Sequence, residues 1–156
     1  MKGNEKLLGT LNALLADELT AIMQYMVHSE MCDNWGYARL HQKIEGRARQ
    51  EMKHAEQLIA RIIFLEGTPK VDELNKIQIG ADVAKQLAAD LKSEHGAVRV
   101  YNEAIHLADK VGDAATRTLL EEILHDEDAH VDWLEEQQDQ IGQMGIEMYL
   151  STQTRE

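Results

Sequence analysis

The chain has 156 residues, with 28 Asp plus Glu against 16 Lys plus Arg and a formal net charge of −12. That acidity argues against nucleic acid and anionic membrane as partners, because phosphate binding needs a basic footprint. The single cysteine, Cys32, excludes an internal disulfide and a thiolate zinc or iron–sulfur site; with no signal-peptide pattern at the start, it points to a reducing, cytoplasmic setting.

The stretches flanking the one proline, Pro69, are rich in Ala, Leu, Glu, Lys and Gln, and predict four long helices. The first runs from Asn4 to Asp33 with an apolar stripe of Leu11, Leu15, Ile22 and Tyr25. Asn34-Trp35-Gly36 breaks it from the second, Tyr37 to Glu66, whose stripe is Ile44, Leu58, Ile62 and Leu65. A connection of about 15 residues, Gly67 to Ala81, leads to the third helix, Asp82 to Lys110. Its stripe is Leu87, Leu91, Val98, Tyr101 and Ile105. Gly112-Asp113 separates it from the fourth, Asp113 to Ile141, with Leu120, Ile123, Leu124, Val131 and Leu134. Asp82 and Asp113 are N-cap residue types. Gly142 and Gly145 end the fourth helix, and a short fifth continues to Ser151.

No segment alternates with period two, so the fold class is all-α. No apolar run approaches the ~20 residues of a membrane span. Extended, the long connection reaches ~50 Å, against ~45 Å for a 30-residue helix. It can run the length of a four-helix bundle and leave the second and third helices parallel, and a floppy loop is the alternative.

Each stripe is interrupted by one glutamate: Glu18, Glu51, Glu94 and Glu127 lie seven residues from apolar stripe members on both sides. A buried lone carboxylate costs several kcal/mol even after relaxation, so four facing one core need cations or protons. Two of them begin Glu-x-x-His, Glu51/His54 and Glu127/His130, a spacing that turns both side chains toward one site. Glu103/His106 and Glu122/His125 also match, but they lie ~180° and ~140° around their helices from Glu94 and Glu127 and read as solvated surface.

The spacing of the inward set is specific. Glu18 to Glu51 and Glu94 to Glu127 are both 33 residues; Glu18 to Glu94, Glu51 to Glu127 and His54 to His130 are all 76. The midpoints of the two 33-residue pairs fall inside the two short turns, so partners meet at one level of each hairpin. Two hairpins related by a pseudo-twofold each deliver Glu plus Glu-x-x-His. Four carboxylates balance two divalent cations, and oxygen-rich ligation with one imidazole per metal suits iron or manganese and accepts zinc. Asp90 and Asp126 are candidate hydrogen-bond partners of the two histidines.

The whole sequence resembles a bacterioferritin over nearly its full length. The resemblance is carried by Met1-Lys2-Gly3, Ala16 to Ile22 with Gln24-Tyr25, Asp33 to Gly36, Glu51 to Glu56, Phe64 to Pro69, Ile79-Gly80, Asp126 to Leu134 and Met144-Gly145. It implies one ferritin-like domain over residues 1–156: a four-helix bundle with a long crossover and a short C-terminal helix. It implies iron storage and detoxification, with Fe(II) oxidised by oxygen or peroxide at a di-iron ferroxidase centre. Ferric mineral would be held in a hollow homo-oligomeric 24-mer with haem b at twofold interfaces, served by a redox partner such as a ferredoxin.

Carried over by residue, the iron ligands are Glu18, Glu51, His54, Glu94, Glu127 and His130, with Glu51 and Glu127 bridging. Tyr25 is either a nearby electron donor or a core aromatic with a bonded hydroxyl. Met52 stands off the core stripe; a methionine there is ordinarily a gap filler, and the resemblance makes it the haem axial ligand, with Leu19, Ile22, Met23 and Met26 lining the same interface. Glu45 and Arg49 depart from the larger apolar contacts usual beside it. Gly46 and Gln50 stand where some members carry an inner-surface iron site, which this chain therefore lacks. Glu66, Asp132 and Asp139 resemble acidic pore residues, or are plain solvated surface. A rubrerythrin-like peroxidase is disfavoured by the single cysteine, a DNA-protecting cage by the net charge, and reductase or monooxygenase subunits by the chain length.

Overall fold

The computed structural model describes residues 1–155. They form α1 (Glu5–Asn34), α2 (Ala38–Phe64), α3 (Val83–Lys110), α4 (Ala114–Met144) and a short α5 (Ile146–Ser151), with no strand among the described residues. The all-α bundle with a short fifth helix agrees with the expectation. Asn4, Asp82 and Asp113 cap α1, α3 and α4 by accepting from the amides of Leu7, Lys85 and Thr116. Gly36 and Gly112, at φ 82° and 78°, make the two tight turns that fold α1 onto α2 and α3 onto α4. α4 runs three residues beyond the expected Ile141. Gly142 does not stop it; Gly145, at φ 80°, does.

The apolar stripes pack as two clusters. One gathers Leu7, Leu11, Leu15, Leu58, Ile62, Leu120 and Ile123; the other Tyr25, Leu40, Ile44, Leu87, Leu134 and Tyr149. Each buried leucine or isoleucine contributes about 1.5–3 kcal/mol. Leu91, Val98, Ile105, Leu124 and Val131 are only half-buried, at the flanks of their stripes. The carboxylate–histidine layer lies between the clusters. Cys32 is fully buried, its thiol 3.4 Å from Gln86 Oε1. α5 closes one end, where the Tyr149 hydroxyl donates to Gln137.

The connection between α2 and α3 contains neither helix nor strand, yet α1 side chains bind its backbone at intervals along its length. A second stripe on α1, polar where the first is apolar, receives it. Asn12 Nδ2 donates to the Thr68 carbonyl and Asn12 Oδ1 accepts from the Lys70 amide. The Thr20 hydroxyl accepts from the Asn75 amide, Gln24 Oε1 from Gln78, and His28 Nε2 from Gly80. Asn75 also donates to Asp17. The strap therefore climbs α1 from residue 12 to residue 28. Since α2 ends beside the start of α1, with the Gly3 amide on the Leu65 carbonyl, α3 begins at the opposite end and runs parallel to α2. At Gly80 the backbone passes so close to α3 that a Cβ would lie 2.3 Å from the Gln86 nitrogen.

Candidate metal centre

Glu18 comes from α1, Glu51 and His54 from α2, Glu94 from α3, and Glu127 and His130 from α4; none is more than 2% exposed. They converge because each replaces an apolar residue at one level of its helix stripe. Their donor atoms form two groups. Glu18, Glu51, His54 and Glu127 offer atoms within 4.8 Å of one another, and so do Glu51, Glu94, Glu127 and His130. Glu51 and Glu127 belong to both. His54 Nδ1 lies 3.7 Å from Glu51 Oε2 and 3.1 Å from Glu127 Oε1. His130 Nδ1 lies 3.1 Å from Glu51 Oε1 and 3.3 Å from Glu127 Oε2. Glu18 approaches only His54, at 3.7 Å, and Glu94 only His130, at 3.3 Å. So two carboxylates present one oxygen to each histidine, and two face one histidine apiece.

The donor set fits two cations. Glu18 Oε2, Glu51 Oε1, His54 Nδ1, Glu94 Oε2 and both Glu127 oxygens are buried without a hydrogen-bond partner. Buried polar atoms are ordinarily paired, and of the seven such orphans among the described residues six belong to the four glutamates and His54, the other being Arg117 Nε.

Without cations, protons carry the balance. Burial, then the Glu18 carboxylate, pushes Glu51 well above the ordinary range. Burial and the neighbouring Glu127 push Glu94 up. Burial also acts to raise Glu127, but hydrogen bonds from Glu94 and His54 outweigh it and hold Glu127 low. Burial disfavours the His54 imidazolium, yet hydrogen bonds to Glu127, Glu18 and Glu51 raise His54 overall.

A ring of hydrogen bonds orients the six. His54 Nε2 is 2.8 Å from Asp126, as expected for that aspartate. Asp90 is elsewhere: it accepts from Gln24 and pairs with His28, both at 2.9 Å, because α3 turns it toward the strap. The corresponding partner of His130 is Gln50, at 2.6 Å, which the sequence reading missed in this role. The Tyr25 hydroxyl donates to Glu94, and the Tyr101 hydroxyl donates to Glu18 at 2.6 Å. Tyr101, assigned only to a stripe, was missed here too. The 76-residue spacing would have found both, since it carries Asp126 back to position 50 and Tyr25 on to 101.

A cavity of about 290 Å³ beside the strap reaches Tyr25, Glu51, Glu94 and Glu127. On the α1–α2 face, Met52 is half exposed beside a groove of about 210 Å³ that Ile22 and Met26 also line. Leu19 and Met23 do not line that groove: Leu19 packs against the core cluster and Met23 faces solvent. Glu45 and Arg49 at its rim form an ion pair at 3.1 Å. Gly46 is exposed on α2 with open space around it. Glu66, Asp132 and Asp139 are all exposed, as are Glu103, His106, Glu122 and His125.

A four-helix bundle with a strap-like crossover and four glutamates and two histidines meeting in its core defines the ferritin-like class. Residues 8–144 match the family described as Ferritin-like domain. The chain is 42% identical to the bacterioferritin of Brucella melitensis biotype 1, over 96% of this chain and 92% of that one. It is 41% identical to the Rhodobacter capsulatus bacterioferritin, over 94% and 92%, and 39% identical to that of Mycolicibacterium paratuberculosis, over 96% and 94%. The chain belongs to the bacterioferritin family. No helix among the described residues is long and apolar enough to cross a membrane.

Proposed function

We propose that the protein stores iron, oxidising Fe(II) to Fe(III) at the site formed by Glu18, Glu51, His54, Glu94, Glu127 and His130. The observation that carries this reading is that Glu51 and Glu127 each turn one oxygen toward either histidine, which suits two ions held side by side. Glu51 and Glu127 would be shared by the two ions, and Glu18 and Glu94 would serve one each. Two Fe(II) substrates give up one electron each, and one molecule of oxygen or peroxide accepts the pair. The carboxylates favour the more highly charged product, while Asp126 and Gln50 keep each histidine's Nδ1 lone pair turned inward. The cavity past Tyr25 is the approach for Fe(II), and Tyr25, donating its hydroxyl to Glu94, holds that carboxylate in place.

One such domain, residues 1–156, is too small to hold mineral, so storage requires assembly, for which the family relationship supports a 24-subunit shell in the cytoplasm. The α1–α2 face would hold haem: Met52 offers an exposed thioether beside a groove that Ile22, Met26 and Ala48 line, with the Glu45–Arg49 pair at its rim, and a second copy would supply the other half. Met52 would be the axial ligand, with Ile22 and Met26 beside it; the haem would supply an electron-transfer centre serving iron release.

The test is aerobic addition of Fe(II) to the wild type and to Glu51→Ala, following particle size and ferric absorbance. Oxidation faster than without protein, lost in Glu51→Ala, with ferric product retained in a large particle, is expected. A small oligomer, or oxidation no faster than without protein, would rule the reading out. A spectrum of the purified protein without a bis-methionine haem signature would remove haem from it.

A further inference from the structure

The 76-residue repeat that pairs every ligand with its counterpart fails at two positions around the histidines. Asp126, behind His54, corresponds to Gln50, behind His130. Arg47, one turn before Gln50, corresponds to Ile123, a buried core residue. Both differences change charge, and both act in the same direction.

His54 Nε2–H donates to a carboxylate. His130 Nε2–H donates to the Gln50 amide oxygen, which also accepts from Arg47 Nη1 at 3.1 Å. The Arg47 contact fixes which end of the amide faces His130, since only the oxygen can accept from both. One imidazole is therefore backed by a negative charge, and the other by a neutral dipole already drawn on by a cation. A carboxylate behind a ligand histidine makes its metal-facing nitrogen a stronger donor, and such partners change metal affinity about 10- to 100-fold. Asp126 is 42% exposed, so water screens part of its charge and the effect falls near the lower end.

We propose, resting on the two-metal reading above, that Asp126 and the Arg47–Gln50 pair are positioning residues that make the two metal positions unequal, the His54 position holding a divalent cation about tenfold more tightly and filling first. The ligands themselves are matched, so the inequality lies outside them.

Co(II) is the probe, read by its d–d absorbance on the assembled apo protein. Glu94→Ala leaves the His54 position whole, and Glu18→Ala leaves the His130 position whole. Co(II) is expected to bind Glu94→Ala about tenfold more tightly than Glu18→Ala. Adding Asp126→Asn to Glu94→Ala should remove the advantage. Adding Arg47→Ile and Gln50→Asp to Glu18→Ala copies the other half of the repeat and should raise affinity toward that of Glu94→Ala. This gain cannot be produced by a folding defect. Equal affinities in the two single variants, or no gain from the copied pair, would overturn the inference while leaving a two-metal site standing. Failure of the wild type to bind two Co(II) per chain would overturn both.

Discussion

Tyr25 and Tyr101 exchange hydrogen bonds between α1 and α3: Tyr25 donates to Glu94 across the site, and Tyr101 donates back to Glu18. Burial, reinforced by the glutamate each one serves, holds both phenols well above their ordinary pKa, so both keep the donated proton. Tyr25→Phe and Tyr101→Phe should each cost about 1.5–3 kcal/mol without metal, because each leaves a buried carboxylate oxygen unpaired. Chemical denaturation with and without Co(II) checks this, and the loss should shrink when metal holds that oxygen. Only Tyr25 borders the cavity that reaches the site. Fe(II) oxidation should therefore slow more in Tyr25→Phe than in Tyr101→Phe.

The apo protein should become less stable as pH rises from about 5 to about 8. Glu51 and Glu94 have raised pKa values in the folded chain, so above the ordinary glutamate value of 4.5 the folded state holds protons that the unfolded state has released. His54 is raised as well; its contribution is full below 6.5 and is lost progressively above it. Glu127, held low, works oppositely, and its contribution is lost only as pH falls through its lowered pKa. Two divalent cations bound at this site would replace the protons, so binding should release protons and tighten with pH. Melting curves across this range with and without Zn(II), and proton release in weak buffer, test both statements. A melting temperature that rises with pH in the apo protein would contradict the charge balance.

The helices, their caps and the six inward residues were legible because each writes a side-chain signature: a 3.6-residue apolar rhythm, a capping type, a glutamate where an apolar residue belongs. The path of the strap was legible only as a length. Asn12, Thr20, Gln24 and His28 bind its backbone amides, and an amide is the same in every residue, so one side of each contact carries no sequence identity. Asp90 was misassigned for a related reason. Its spacing from Glu94 suits a site residue, but His28 and Gln24, placed by the strap, draw it away. Gln50 was read for what it could not ligate, when its amide oxygen accepts a hydrogen bond from His130.

Cutting the strap's anchor should loosen the crossover without scattering the ligands. His28→Leu leaves the Gly80 amide unpaired, at a cost of about 1–3 kcal/mol, and leaves Asp90 with Gln24 alone as its partner. Hydrogen exchange should accelerate at Gln78 and Gly80, while amides in the middle of α2 and α4 keep their protection. Gly80→Ala should do the same by steric means, since its Cβ would strike the α3 backbone.

Gly46→Ala should stabilise the chain by up to about 1 kcal/mol. The residue is exposed within α2, a Cβ there meets nothing within 4 Å, and alanine restricts the unfolded backbone more than glycine. Thermal unfolding reads the gain. Gly46→His, which restores a metal-binding side chain on this surface, is expected to raise the rate of mineral growth; an unchanged rate would show that an inner-surface site was never limiting.

The burial of Cys32 has a consequence for wear. Burial and the nearby Asp90 charge push its thiol up to about 12, so the reactive thiolate is almost absent at neutral pH, and the side chain presents no surface to solvent. The sulfur atoms turned outward away from the α1–α2 face are thioethers instead: Met1, Met144 and Met148, the first and last of them 65% and 60% exposed. Peroxide would convert these first, to polar sulfoxides near the two ends of the chain. An ageing population of this protein would thus change at its margins while the bundle interior stayed chemically intact, and sulfoxide content at Met148 would serve as a record of exposure to peroxide.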